Sequence, residues 1–355
     1  MQSMSNPRRR ICILRLSAIG DVCHAVATVQ AIQRHFPDDE LTWVVGKVEA
    51  TLVADLPGIH IVVYDKSKGL SAIPELRRQG GGRFDILLHM QLSFRANVLA
   101  AFIPAREKWG FPGRLSKELH SLVINRQVTM PDRPHVLEGF QCFAHALGVP
   151  AFEPQWDIPI PEADRQWVET QLPASRRFVV IAPAASNPER NWLPERYAAV
   201  ADHAAGQGLI AVLTGAPSAQ EIALAQEIAE LTESPVINLV GQTNLKQLLM
   251  LVARASAVVA PDSGTAHMAV TQGIPVIGLY AHSNPDRTGP YRFRSLTVEV
   301  YTAHLRTQRS ARPEQIRWGT RLKGPELMAD IKVEEVIAKL DQALAMTPDR
   351  PPPSA

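Results

Sequence analysis

At 355 residues the chain is long enough for two domains of ordinary size and for cores that need no covalent staples. Hydrophobic residues make up 46% and charged residues 20%, which excludes a disordered chain and a multi-span membrane protein. Lys plus Arg number 37 against 35 Asp plus Glu, and a net charge of +2 excludes a protein that wraps nucleic acid nonspecifically, so any basic surface is local.

The N-terminal Arg8-Arg9-Arg10 and the apolar run behind it have the outline of a signal peptide. Arg15 and Asp21 interrupt that run and no convincing cleavage site follows, so the arginines read as a lead-in to a first strand, Ile11 to Leu16. Next come a helix over Val22 to His35 and strands over Leu41 to Gly46 and Ile59 to Val63. A helix closes at Gln79 before Gly80, Gly81 and Gly82, and a strand follows over Phe84 to Leu88. From Leu147 to Pro161 four prolines in fifteen positions exclude a regular helix or central strand, so this segment reads as the interdomain linker.

The second half repeats the alternation. Strands are expected over Phe178 to Ala182, Leu209 to Thr214, Val236 to Leu239, Ala257 to Ala260 and Pro275 to Leu279. Helices are expected over Leu193 to Gln207, Ala219 to Thr232, Leu245 to Ala253 and from about Thr265. Short apolar runs joined by amphipathic segments predict α/β architecture in both halves, with parallel sheets and helical crossovers. A last helix, Val333 to Ala345, carries an apolar face that needs a partner, and the Pro-rich tail reads as disordered. No run of 18 apolar residues occurs, so a spanning helix is excluded and any membrane contact is peripheral. Cys12, Cys23 and Cys142 show no C-x-x-C spacing, which argues against disulfides and structural zinc and for a reducing compartment.

In such domains ligands bind off the carboxyl ends of the strands. The first turn there, Ser17-Ala18-Ile19-Gly20-Asp21, has one glycine where a dinucleotide fingerprint needs three. Asp21 is either an N-cap or a general base for an incoming hydroxyl, and His24, one turn on, is either a core histidine or a second crevice group. The turn Asp262-Ser263-Gly264-Thr265-Ala266-His267 opens a helix with small residues, whose free N–H groups and dipole suit phosphate. Asp262 itself repels phosphate and suits sugar hydroxyls or a loop-holding role, while a plain N-cap by Ser263 or Asp262 remains open. A third loop holds Ser186 and Arg190, suited to phosphate and ribose, with Arg190 otherwise a solvated loop cation, and Glu221 is placed either for ribose hydroxyls or as a helix-opening acid. Basic residues between Arg95 and Arg133, among them Arg106, Lys108, Arg114 and Lys117, form either a solvated loop or a receiver for an anionic acceptor. They lack the interleaved aromatic platform that single-stranded nucleic acid uses.

The run ILRLSAIGDVCHA at 13 to 25, the run DSGTAHMAVTQGIPVIGLY at 262 to 280 and, more weakly, RNWLPERY at 190 to 197 resemble the ADP-heptose:lipopolysaccharide heptosyltransferases, glycosyltransferase family 9. The resemblance implies the α/β GT-B fold, two Rossmann-like doubly wound domains facing a central cleft. Residues 1–160 would bind the acceptor, 161–330 the ADP-sugar, 331–346 would pack back on the first domain, and 347–355 would be a disordered tail. It implies Asp21 as catalytic base, Arg190 on the donor diphosphate, Asp262 on the heptose, and Ser263, Gly264 and Thr265 around the phosphates with His267 nearby. Thr243 would lie by the adenine and Glu221 by the ribose. Leu193 between Trp192 and Pro194, and arginine at 190 where some members carry lysine, depart from the pattern. The activity implied is inverting transfer of heptose from ADP-heptose to an anionic lipopolysaccharide inner core, in the cytoplasm, with no cofactor and no divalent metal. A transferase using another nucleotide sugar, a nucleotide-dependent oxidoreductase and a two-domain solute-binding protein are the alternatives.

Overall fold

Strand pairing in a computed structural model, which describes residues 8–115, 119–172, 176–309 and 316–347 without the side chains of 70, 114 and 309, divides the chain into two units at Pro159/Ile160. The first unit runs β1 (Arg10–Leu14), α1 (Ile19–His35), β2 (Glu40–Gly46), α2 (Lys47–Val53), β3 (Ile59–Tyr64), α3 (Ile73–Gln79), β4 (Phe84–His89), α4 (Phe94–Phe102), β5 (Ala105–Gly110), β6 (Arg126–Gln127) and α5 (Val136–Ala146). Its six strands pair in parallel in the order β3-β2-β1-β4-β5-β6. Strand β1 is central and covered on both faces, which is why its sequence is a continuous apolar run and not an alternation. The order reverses between β1 and β4, the place where open α/β sheets form their ligand crevice.

Strand β5 and helices α2, α4 and α5 have no counterpart in the sequence reading. Strand β5 is AREKWG, an edge-side strand with no apolar run to betray it. Helix α5 is capped by a histidine: His135 Nδ1 accepts from the Leu137 N–H and Glu138 reaches back to the His135 N–H. The proline-rich segment read as a linker is fastened along α1. Trp156 Nε1 donates to Cys23 O at 2.7 Å, and Gln30 exchanges bonds of 2.5 and 3.0 Å with the backbone of Asp157. Proline excluded helix and central strand correctly, but it does not distinguish a linker from an extended strap.

The second unit runs α6 (Glu162–Gln171), β7 (Phe178–Ile181), α7 (Pro194–Gly206), β8 (Ile210–Leu213), α8 (Ala219–Leu231), β9 (Val236–Asn238), α9 (Leu245–Arg254), β10 (Ala257–Pro261), α10 (Gly264–Thr271), β11 (Val276–Tyr280), α11 (Pro285–Thr288), β12 (Val298–Glu299), α12 (Tyr301–Arg309) and α13 (Val333–Ala345). Its strands are parallel in the order β12-β11-β10-β7-β8-β9, with the reversal between β7 and β10. Two parallel six-stranded sheets flanked by helices are the paired α/β architecture of GT-B. Helix α13 buries Val336, Leu340, Ala343 and Leu344 and packs on α7, β10 and β11 of its own unit. His203 on α7 bonds Asp341 at 2.7 Å across that contact. The apolar stripe announced a partner without saying which. Residues 348–355 of the expected tail lie outside the described residues.

Candidate active site

In the first unit the loop after β1 is bonded from every side. Trp43 Nε1 donates to Arg15 O at 3.1 Å, Gln91 Oε1 accepts from Leu16 N at 2.7 Å, and Gly46 N donates to Leu16 O at 2.9 Å. Gly46 has to be glycine for this approach, since a Cβ there would stand 2.6 Å from Leu16 O. Helix α1 leaves the loop at Ile19, so Asp21 sits in its first turn, where a carboxylate also suits the helix dipole. The residue at the N-cap is Ala18 and no side chain caps the helix, which removes the capping reading of Asp21. Asp21 Oδ2 accepts instead from Arg15 Nη2, and Arg15 Nη1 donates to Met90 O at 2.7 Å. The arginine is buried, with its guanidinium carbon 5.2 Å from the Phe140 ring centre, while about a third of the Asp21 side chain, 34%, stays exposed.

Arg15 did not emerge as a site residue from the sequence. Its signal was there as a lone cation at the carboxyl end of an apolar strand, read only as a break in a leader. His24, one turn past Asp21, is 2% exposed with its ring edge-on to His135 at 5.2 Å, so the structure places it in the core of the unit. Beside β1, the end of β4 carries a buried histidine pair on one amide. Asn97 Oδ1 accepts from His89 Nε2 at 2.8 Å and from His120 Nδ1 at 3.1 Å, and His120 Nε2 accepts from Phe111 N at 3.1 Å. Burial, then the neighbouring His120, pulls the His89 imidazole down to about 3, and burial pulls His120 down to about 4. Both rings are neutral at physiological pH.

Of the basic acceptor candidates, Arg106 is exposed on β5, and Lys108 donates from Nζ to Ala100 O at 2.6 Å at the end of α4. Arg114 lies in a 3-10 turn, Gly113–Leu115, and Lys117 lies outside the described residues.

In the second unit β7, β10 and β11 are neighbours, so the loops after them lie side by side. Asp262 follows β10 with its side chain 11% exposed. Its Oδ2 accepts from Ser283 Oγ at 2.8 Å and from Arg190 Nη1 at 3.3 Å, and His267 Nε2 stands 3.8 Å from Oδ1. Burial pushes this carboxyl up, but the facing imidazole, the Ser283 hydroxyl and the Arg190 guanidinium outweigh it and hold the group below the usual carboxylate range. Arg190 is buried and also donates to Ser186 Oγ at 2.7 Å. The loop that carries it is anchored by Trp192 Nε1 to Ile331 O at 3.2 Å and by Arg196 to Ala329 O at 2.7 Å.

Helix α10 starts at Gly264 with Ser263 at its N-cap position and no side-chain cap bond, and the buried Ser263 Oγ has no partner among the described residues. Uncapped first-turn N–H groups, a hydroxyl and a nearby guanidinium form a cradle for an anion, with Thr265 half-buried in the first turn. The next strand end, β8, leads to Glu221, whose Oε2 accepts from Ala216 N at 2.7 Å while its own N–H bonds the capping Ser218. Glu221 thus sits in the first turn of α8, with its carboxylate beside Gly215. Half-buried Thr243 precedes Asn244, which caps α9 in a reciprocal box with Gln247. Ser283 is the residue the sequence reading missed here. It follows β11 as one hydroxyl among Tyr280-Ala281-His282-Ser283, and only the sheet order brings it to Asp262.

Two doubly wound domains joined in one chain, one with an uncapped helix start and the other with a partly exposed carboxylate at its switch point, fit the class of GT-B glycosyltransferases. The family model for glycosyltransferase family 9 (heptosyltransferase) matches residues 74–316. The lipopolysaccharide core heptosyltransferase OpsX of Haemophilus influenzae is 41% identical over 333 residues, covering 94% of this chain and 96% of that one. Among solved structures, the family 9 glycosyl transferase of Veillonella parvula superposes with a TM-score of 0.79 at 23% identity over 95% of this chain and 97% of that one. The Escherichia coli heptosyltransferase WaaC, solved with ADP, superposes at 0.71 and 19% identity over 94% and 99%. The chain belongs to glycosyltransferase family 9, the heptosyltransferases.

Proposed function

We propose that the enzyme transfers heptose from ADP-heptose to an anionic lipopolysaccharide inner-core acceptor, with inversion, in the cytoplasm at the membrane face that carries the acceptor. The acceptor oxygen attacks the anomeric carbon, the bond from that carbon to the phosphate oxygen breaks, ADP leaves, and the acceptor proton goes to Asp21. The observation that carries this reading is the state of Asp21: uncapping, held by one buried arginine, and partly exposed at the switch point of its sheet. Arg190 and the uncapped start of α10 would meet the charge that grows on the departing diphosphate, an effect larger in the transition state than in the ground state. Asp262 would take heptose hydroxyls, and Ser186, Glu221 and Thr243 the nucleoside side. Arg106, with Lys108, Arg114 and Lys117, would receive acceptor phosphates or carboxylates. The helix terminus and Arg190 supply positive potential at the leaving group, so turnover should survive EDTA.

The sequence of a relative named for the lipopolysaccharide core supports the acceptor class, and the relative solved with ADP supports the base of the donor. A thermal-shift panel of ADP, UDP, GDP and NAD tests the donor. Stabilisation by ADP alone is expected, because a ligand bound only to the native state adds RT ln(1 + [L]/Kd). Stabilisation by UDP or GDP would select another nucleotide sugar, and by NAD an oxidoreductase.

A further inference from the structure

Four of the nine most exposed large apolar side chains among the described residues fall between positions 94 and 122, which singles out one region of the first unit. Phe94 is 61% exposed, Phe102 46%, Leu119 61% and Leu122 75%. Along α4 the exposed positions are 94, 95, 101 and 102, with Val98 half-buried between them, so the outward face of that helix reads Phe, Arg, Val, Ala, Phe. A surface helix normally turns such a stripe inward.

The apolar strip continues beyond the helix. A shallow groove is lined by Ala101 of α4 together with Leu122, Val123, Ile124 and Lys108, so the 119–125 loop flanks the end of that face. Leu119 holds φ at 68°, a left-handed conformation uncommon for a residue with a Cβ. Two leucines are thus held outward in a loop that gains no burial from them.

Among the described residues, three cations border this strip. Arg95 is on the exposed face of α4, and Arg106 and Lys108, two apart on β5, share the side of the strand that meets α4. The acid between them, Glu107, faces the other side, where Arg126 holds it at 3.0 Å and Trp109 Nε1 donates to it at 2.8 Å. Separate apolar side chains projecting from a cationic rim match the headgroup boundary of an anionic bilayer, where aromatic and aliphatic groups insert and cations meet lipid phosphates.

We propose that the outward face of α4 and the Leu119–Leu122 loop dock the first unit onto an anionic lipid surface. The inference rests on the reading of the acceptor as a lipopolysaccharide core. Such an acceptor carries acyl chains in a bilayer, and among the described residues no helix is long and apolar enough to cross one. Docking by this strip would bring the basic candidates Arg106 and Lys108 to the same plane as the acceptor's phosphates.

The test is co-sedimentation of the full chain with large vesicles of phosphatidylcholine alone and of phosphatidylcholine with phosphatidylglycerol. Wild type should sediment with the anionic vesicles and less so as salt rises. Replacing Phe94, Phe102 and Leu122 together by serine should lower that partition about tenfold or more, and Arg95→Gln should lower it further at low salt. Phe94, Phe102 and Leu122 are exposed, so circular dichroism of the triple variant and its turnover on a water-soluble, deacylated acceptor should stay at wild-type values. Wild type that ignores anionic vesicles, or a triple variant that partitions as wild type does, would overturn the docking surface. Normal partition with no transfer to either form of the acceptor would leave the docking surface standing and overturn the acceptor reading on which it was built.

Discussion

Asp21 and Asp262 occupy comparable places, one in the first turn of the helix after a central parallel strand and the other just before such a helix, each at the switch point of a doubly wound sheet, and their surroundings are opposite. Asp262 is buried and gripped by Ser283, Arg190 and His267, which together hold it ionised below the usual range. Asp21 keeps a third of its side chain exposed and has one charged partner, Arg15. A carboxylate held below its usual range by cationic and hydroxyl partners is a poor proton acceptor during a reaction, but it can hold a binding loop in shape. A carboxylate held by one arginine is aimed and still has lone pairs to offer. The same residue in the same topological position is therefore suited to structure and sugar recognition in one unit and to chemistry in the other.

The sharpest break of this comparison is in rate. Asp21→Asn should cut kcat by roughly 10² to 10⁴, the usual worth of a positioned base, with only a modest loss of thermal stability, because Asp21 caps nothing and the amide oxygen can still accept from Arg15 though the charge is gone. Asp262→Ala should act the other way, on folding. It strands Arg190 and Ser283 in a buried site, and breaking such a pair costs about 3–5 kcal/mol, measurable by urea unfolding.

How far these roles were legible follows from what kind of pattern each leaves. The apolar β1 and the small-residue turn at 262–265 are local patterns, so the doubly wound fold and the small-residue opening of α10 were readable from the sequence. Helix α1 begins at Ile19, earlier than Val22, because the turn residues Ile19 and Gly20 carry no periodic signal of their own. Arg15 and Ser283 act through neighbours brought by sheet order: Leu14 pairs with His89 of β4, which puts Met90 O within reach of the arginine. No spacing in the chain encodes that. Strand β5 was hidden by its Arg-Glu-Lys core, a polar strand near the sheet edge that resembles a loop. Helix α13 was legible as an amphipathic helix, while its contact with α7 was not, since α7 offers a sequence no more distinctive than other surfaces.

Acid should separate the two units. The His89 and His120 rings are depressed from an unfolded value near 6.5, so the unfolded chain binds protons that the folded one refuses. Their stabilisation is complete above about pH 6.5 and falls as pH drops toward about 4 for His120 and about 3 for His89. At about 1.4 kcal/mol per unit of difference, the first unit should lose roughly 2–4 kcal/mol between pH 7 and pH 5. The depressed Asp262 contributes above its unfolded value near 3.9 and is lost only at lower pH. Hydrogen exchange resolved by unit should show the first unit opening at pH 5 while the sheet around Asp262 keeps its protection. Equal loosening of both would contradict the assignment of the buried pair.

A smaller effect concerns the basic side of the first unit. Arg106→Gln should raise the acceptor KM about two- to fivefold and leave the donor KM alone, with the difference shrinking at high salt because exposed charges are screened. An equal change in both constants would return Arg106 to an ordinary surface cation.

The division of labour between the two aspartate turns is tested most directly by titrating ADP calorimetrically into Asp21→Asn and Arg190→Ala side by side. Asp21→Asn should bind ADP as wild type does, since its carboxylate belongs to the acceptor's proton. Arg190→Ala should bind about tenfold or more weakly, because a buried guanidinium hydrogen-bonded to a diphosphate is lost. Wild-type affinity in Arg190→Ala together with weakened binding in Asp21→Asn would place the diphosphate at the first unit and contradict the account.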